Sequence, residues 1–218
     1  DAFNLKSFKA GKRRVQIEGD IVTNGGMGSK GQINIGLVGD NSYWKGNYGD
    51  AEGYGVTPGQ LGAVNLKMKN GSYWRGFANG SMNVEMEGKN TRWTGFNIND
   101  SMQLTLKDGA TWYNAVTPGQ KDKKKELAVA KVKYLVSDRG VIDMTGKDTF
   151  TAIVVPEKQE PLFNPYIVEN KDGITGNVVV DNYKGNATVI YKHDKTDPKK
   201  MIGGDFIINK AEKGSEIT

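Results

Sequence analysis

A chain of 218 residues is long enough for one or two ordinary domains or for a single elongated repeat array. Its apolar share of 37% falls below the roughly 45–50% of average globular proteins, and its 29 glycines fit short strands that bury one face and then turn. Absence of cysteine excludes a disulfide framework and a thiolate metal site. The net charge of +5 is spread along the chain, so it favours anionic surroundings without marking a nucleic-acid-binding face.

The predicted elements are strands. Val15 and Ile17 open the series. Residues 26–31 (Gly-Met-Gly-Ser-Lys-Gly) have the spacing of a dinucleotide-binding loop, but a helix should follow, and residues 33–38 (Ile-Asn-Ile-Gly-Leu-Val) alternate like a strand. They predict a loop between strands. Residues 33–38 lead to Trp44, residues 64–69 (Val-Asn-Leu-Lys-Met-Lys) to Trp74, residues 82–87 (Met-Asn-Val-Glu-Met-Glu) to Trp93, and residues 102–107 (Met-Gln-Leu-Thr-Leu-Lys) to Trp112. The tryptophans are 30, 19 and 19 residues apart, and Ile142 follows Trp112 by another 30. Both long intervals hold Val-Thr-Pro-Gly-Gln, at 56–60 and 116–120, so the extra length is looped out at 47–62 and 114–131. Residues 121–126 (Lys-Asp-Lys-Lys-Lys-Glu) form a charged loop, and residues 132–136 re-enter the pattern. An irregular excursion is expected over 150–166, where Pro156, Pro161 and Pro165 fall. Strand-like runs resume at 177–181, 187–191 and 204–209. The organisation is therefore Trp-bearing rungs over 1–145, then an excursion and further rungs of the same solenoid over 146–218. The start at Asp1 and the end on a strand-like pattern predict a segment of something larger.

Because side chains alternate along a strand, stacking the repeats in register creates columns. The inward columns are Ile33, Val64, Met82, Met102, then Ile35, Leu66, Val84, Leu104, then Leu37, Met68, Met86, Leu106, all apolar. Outward columns read Asn34, Asn65, Asn83, Gln103, then Lys67, Glu85, Thr105, then Lys69, Glu87, Lys107, placing opposite charges in neighbouring rungs. Val15 and Ile17 stand 18 residues before Ile33 and Ile35, which predicts an earlier rung. Asn70-Gly71 and Asp108-Gly109 predict turns with positive φ. Strands that return in the same direction after about 19 residues, with no helical period between them, predict an all-β parallel coil. The Trp column should stack inside it, each indole N–H needing a polar partner or a partly exposed edge.

Residues 66–76 (Leu-Lys-Met-Lys-Asn-Gly-Ser-Tyr-Trp-Arg-Gly) and their copies resemble the passenger region of Gram-negative autotransporters. Residues 137–144 (Ser-Asp-Arg-Gly-Val-Ile-Asp-Met), 191–194 (Tyr-Lys-His-Asp) and 203–206 (Gly-Gly-Asp-Phe) add to the likeness. It covers residues 10–145 well and the remainder loosely. The resemblance implies a right-handed parallel β-helix, extracellular or displayed at the bacterial surface by an outer-membrane-anchored parent. It also implies a non-enzymatic adhesin or a virulence-related surface protein.

Chemistry is sparse. Glu85 and Glu87 are paired carboxylates of the kind a glycosidase or Ca²⁺-dependent lyase uses, yet Lys67, Lys69 and Lys107 beside them favour a charge-balanced ladder. His193 is the only histidine, which rules out His-dependent triads and multi-His metal sites in this segment. Asp194 and Asp197 fit a turn better than a cation site, and no Gly-x-Ser-x-Gly occurs. No catalytic residue, metal ligand or cofactor is expected. One stripe offers a binding surface: Tyr43 and Lys45, Tyr73 and Arg75, Arg92 and Thr94, Thr111 and Tyr113 flank the tryptophans on the outward side. Of these, Tyr43, Lys45, Tyr73, Arg75, Arg92 and Tyr113 could stack sugar rings and hold anionic groups, although the same types suit any half-exposed pleated face. A host-surface glycan or protein is the expected partner, with no nucleic acid and no membrane contact by this segment. Open solenoid ends would self-associate. The rival reading is a polysaccharide-acting β-helix enzyme with a groove between the loops at 47–62 and 114–131.

Overall fold

The computed structural model describes residues 2–6, 14–23, 32–50, 63–98, 100–116, 129–147, 151–154, 165–168 and 174–218, and every element among them is a strand. The first face of the coil contains β1 (Ala2–Lys6), β4 (Gln32–Val38), β7 (Ala63–Lys69), β9 (Met82–Glu87) and β11 (Met102–Lys107), joined in that order by parallel ladders. The second face contains β2 (Gln16–Glu18), β5 (Tyr43–Lys45), β8 (Tyr73–Asn79), β10 (Arg92–Asn97) and β12 (Thr111–Asn114), again parallel. The long strand β13 (Ala130–Asp143) pairs with β11 along its first half and with β12 along its second, joining the two faces. Next comes β16 (Val178–Ile190), then, past the antiparallel pair β17 (Lys192–His193) and β18 (Met201–Ile202), β19 (Phe206–Ala211) and β20 (Glu216–Ile217). Short third strands β3 (Ile21–Thr23) and β6 (Tyr48–Asp50) extend the early rungs. The architecture is a parallel β-helix.

The register is the one the alternation dictates. Ile33, Val64, Met82 and Met102 are ladder partners, as are Ile35, Leu66, Val84 and Leu104, and Leu37, Met68, Met86 and Leu106. All twelve except the half-buried Ile33 are buried. Each such side chain contributes about 1.5–3 kcal/mol, and the ladder repeats at about 4.8 Å. Leu135 and Tyr183 continue the second column, and Ile142 sits above Trp112. Asn70 and Asp108 take φ of 53° and 51°, followed by Gly71 at 85° and Gly109 at 82°, so these turns are built as their dipeptides require.

The expected earlier rung is present. Phe3 and Leu5 are the partners of Ile33 and Ile35 on its first face, and Ile17 lies beneath Trp44 on its second. Ile17 belongs to the second face because Gly19 stands two residues after it, the position occupied by Gly46 after Trp44. Within the expected irregular excursion, β14 (Thr151–Val154) and β15 (Pro165–Val168) form an antiparallel pair. The loop at 26–31 and the charged run at 121–126 lie outside the described residues, as do most of both looped-out insertions.

Three ladders lock the rungs together. On the outer side, Asn34, Asn65 and Asn83 each donate from Nδ2 to the Oδ1 of the rung before, the first of these being Asn4, all at 2.8 Å. Just after the turns, Ser42, Ser72 and Thr91 are buried and use their hydroxyls between rungs. Ser72 donates to the Leu37 carbonyl at 3.0 Å, and Thr91 Oγ1 accepts from the Gly71 amide at 3.0 Å. The third ladder is the tryptophan stack: Trp44, Trp74, Trp93 and Trp112 are fully buried, with centroids 4.9, 4.7 and 5.2 Å apart and planes within 10°. No indole edge is exposed. Each N–H donates to a glycine carbonyl of the preceding rung: Trp44 to Gly19, Trp74 to Gly46, Trp93 to Gly76 and Trp112 to Gly95, at 2.9–3.0 Å.

Candidate functional site

The six stripe residues fall into two neighbouring columns on the outside of the second face. Tyr43, Tyr73, Arg92 and Thr111 are successive ladder partners, and so are Lys45, Arg75, Thr94 and Tyr113. They are outward because the tryptophan between them on each strand points inward. Sequence alternation places them, and the parallel register brings them together.

Their chemistry is largely directed at one another. The Tyr43 and Tyr73 rings stack at 5.2 Å, and the Arg92 guanidinium lies 4.5 Å from the Tyr73 centroid. Tyr73 sits between them in its column, with a ring on one side and a cation on the other. Lys45 Nζ approaches the Tyr43 ring at 4.6 Å. The Tyr43 hydroxyl donates to Glu18 Oε1 at 3.0 Å, and this bond to a carboxylate raises the phenol above its ordinary value. Thr94, in the middle of the stripe, is buried. Lys45 and Arg75 are exposed. The stripe therefore presents ring edges and two cationic groups to solvent, while the Tyr73 faces that could take a sugar ring are covered.

Glu85 and Glu87 are committed to lysines. Lys69 Nζ lies 2.8 Å from Glu87, and Lys107 Nζ 3.2 Å from Glu85. The hydrogen bond from Lys69 holds the Glu87 carboxyl below the usual carboxylate range, and the same bond raises Lys69. The lowered Glu87 carboxyl is not poised to carry a proton. His193 lies in a two-stranded antiparallel pair opposite Met201 and is exposed. Asp194 Oδ1 accepts from the Thr196 hydroxyl and amide at 2.7 Å each and from the Asp197 amide at 3.3 Å, a turn whose hydrogen bonds, that from the Thr196 hydroxyl foremost, lower the acid. Among the described residues no group of three or more His, Asp or Glu is placed to hold a metal ion.

Sequence reasoning missed the glycine carbonyls that serve the tryptophans. Their signal is present as Trp-x-Gly at 44–46, 74–76 and 93–95. A Cβ on Gly46, Gly76 or Gly95 would lie 1.7–1.8 Å from the carbonyl oxygen of the glycine below and 2.5–2.9 Å from the indole nitrogen of its own rung. At Trp112-Tyr-Asn114 the pattern ends, and Asn114 instead donates to the Gly176 carbonyl at 3.1 Å.

Compared with protein-family models, with curated proteins and with solved structures, the chain matches none.

Proposed function

We propose that this chain is a passenger segment of an autotransporter-type surface protein, exported to the bacterial exterior and acting there as a non-enzymatic adhesive stalk. The observation that carries the reading is the unbroken stacking of side-chain columns from β1 to β19. A coil in which each rung templates the next is stiff along its axis and holds whatever it displays at a fixed distance. Commitment of Glu85 and Glu87 to lysines supports the non-catalytic part of the reading. The tyrosine–cation stripe supports adhesion through its charged rim more than through its covered rings.

The test uses the whole chain on beads, presented to cultured epithelial cells and separately incubated with acidic polysaccharides with and without Ca²⁺. Cell retention above that of albumin-coated beads, with no new reducing ends, supports the reading. Release of sugar ends, or no retention, overturns it.

A further inference from the structure

The outer surface of the first face changes character at β13. From β1 to β11 one outward column is amide throughout: Asn4, Asn34, Asn65, Asn83 and Gln103. The next rungs put Tyr134, Asn182 and Lys210 in that column and Val136 and Lys184 in the one beside it. Tyr134 is 41% and Val136 40% exposed, two apolar side chains side by side on one strand. Strict alternation also fails here: Lys133 and Tyr134 are both exposed between buried Val132 and Leu135, and the paired strand repeats the break at Asp181 and Asn182 between buried Val180 and Tyr183. The two strands share this break with no shift of register across it. Beside it lies an open groove of about 400 Å³, lined by Tyr134, Val136, Asn182, Lys184, Lys210 and Glu212 among others.

We propose that this groove is a binding site for an acidic oligosaccharide, a sugar chain bearing ring carboxylates; the proposal rests on the adhesive reading above and gives it a ligand class. The volume falls in the range of about 300–1,000 Å³ typical of small-molecule sites. An exposed tyrosine beside a valine provides the apolar platform that the C–H faces of a sugar need, and unlike Tyr73 it has an amide, not a ring or guanidinium, in the column position on either side. Lys184 and Lys210 line the groove, while Lys133 Nζ lies over the Tyr134 ring, 5.7 Å from its centroid, outside that lining. Glu212 pairs with Lys184 at 3.2 Å, so two lysines face one carboxylate and the groove keeps a net positive charge, complementary to an anion. An acidic peptide fits less well. Both β13 and β16 are hydrogen-bonded to strands on either side and offer a peptide no open backbone edge; β19, which brings Lys210 to the groove, pairs with β16 alone among the described strands, and the peptide arm of the test addresses that edge.

The full chain and two variants, Tyr134→Ala and Lys210→Glu, would be titrated calorimetrically with a hyaluronan tetrasaccharide, with neutral cellotetraose and with a glutamate decapeptide. Circular dichroism and tryptophan fluorescence establish that folding is unchanged. The expected result is binding of the acidic tetrasaccharide alone, weakened at least tenfold by each variant. Equal binding of cellotetraose, preference for the peptide, undiminished binding in the variants or no binding at all each overturns the site. Bead adhesion by the same proteins separates the two ideas. Adhesion that persists with an inert groove leaves the stalk reading standing, whereas tetrasaccharide binding without adhesion removes that reading and keeps the groove.

Discussion

Gly95→Ala would put a methyl group inside a hydrogen bond. The Trp93 indole nitrogen and the Gly76 carbonyl oxygen are 3.0 Å apart, and a Cβ built on Gly95 lies 2.5 Å from the first and 1.7 Å from the second. The donor and acceptor must separate, and both lie in the buried core. An unsatisfied buried group costs about 1–3 kcal/mol, and forcing a methyl into a filled site adds about 1–3 kcal/mol. The expected loss is therefore about 2–6 kcal/mol, whereas Gly→Ala at an unstrained strand position is neutral or stabilises by about 0.4–1 kcal/mol. Trp93→Phe removes the donor without the collision and leaves the carbonyl unpaired. In the double variant the bond is already absent and the contact with the indole nitrogen is gone, while the Gly76 carbonyl still crowds the methyl, so the pair should fall short of additivity by about 1 kcal/mol, the bond being lost only once. Urea unfolding followed by tryptophan fluorescence reads the losses. Hydrogen exchange at the amides of β10 localises them, because repeat arrays open rung by rung. A Gly95→Ala protein within about 0.5 kcal/mol of the parent, or strict additivity in the cycle, refutes the argument that glycine is there for the bond.

Other perturbations test other ladders. Asn65→Asp sets a carboxylate against Asn34 Oδ1 where an amide now donates at 2.8 Å; it should cost about 1–3 kcal/mol at neutral pH, seen as a lower urea midpoint that recovers in acid as the new side chain gains a proton. Asn70→Gly should be tolerated and Asn70→Val should cost about 1–2 kcal/mol, since Asn70 has φ of 53°, and the same unfolding assay ranks the two. The Tyr183 hydroxyl donates to the Glu216 carbonyl at 2.6 Å and accepts from the buried Ala187 amide at 2.7 Å, and burial raises its pKa. A raised pKa means its stabilisation is complete below the unfolded value of about 10 and is lost as pH rises through the folded one. Exchange protection over 212–218 should therefore drop in alkali, and Tyr183→Phe should lower it at every pH. Glu87 has the opposite sign: its depressed pKa gives a contribution present above about 4.3 and lost as pH falls through the folded value, so Glu87→Gln should flatten the acid limb of stability against pH.

The columns were legible because a strand's period of two leaves no freedom once three copies align: Leu66, Val84 and Leu104 point inward together or not at all. Turns were legible where a dipeptide demands positive φ, as at Asn70-Gly71. The tryptophan acceptors were not, because the acceptor is a backbone carbonyl, which has no letter of its own; only the glycine that bares it can be read. That same glycine tells which face of the earlier rung Ile17 belongs to: Val15 and Ile17 share the alternation of Ile33 and Ile35, but Gly19 assigns Ile17 to the Trp column. For the stripe, the sequence places Tyr43, Tyr73 and Arg92 on one face, but it does not say that they would cover each other, since stacking along a column depends on rotamers. The groove was hidden for a related reason. Its cause is a break in alternation at Lys133 and Tyr134, and a break reads as noise until the paired strand is seen to share it.

A regular parallel coil leaves few places on its surface for a ligand. Each outward side chain has neighbours about 4.8 Å above and below it, so in a regular stack the first claim on its polar atoms or ring faces comes from the next rung. Asparagine meets asparagine, Lys69 meets Glu87, and Tyr73 is stacked between Tyr43 and Arg92. Regularity that stiffens the coil thus consumes the groups that recognition would need. Surplus capacity appears only where a column is interrupted by a residue its neighbours cannot satisfy, and Tyr134 between Gln103 and Asn182 is such an interruption. Stiffness and recognition are therefore expected in different rungs of the chain, with the tryptophan-stacked rungs as the rod and the rungs where alternation breaks as the place of contact.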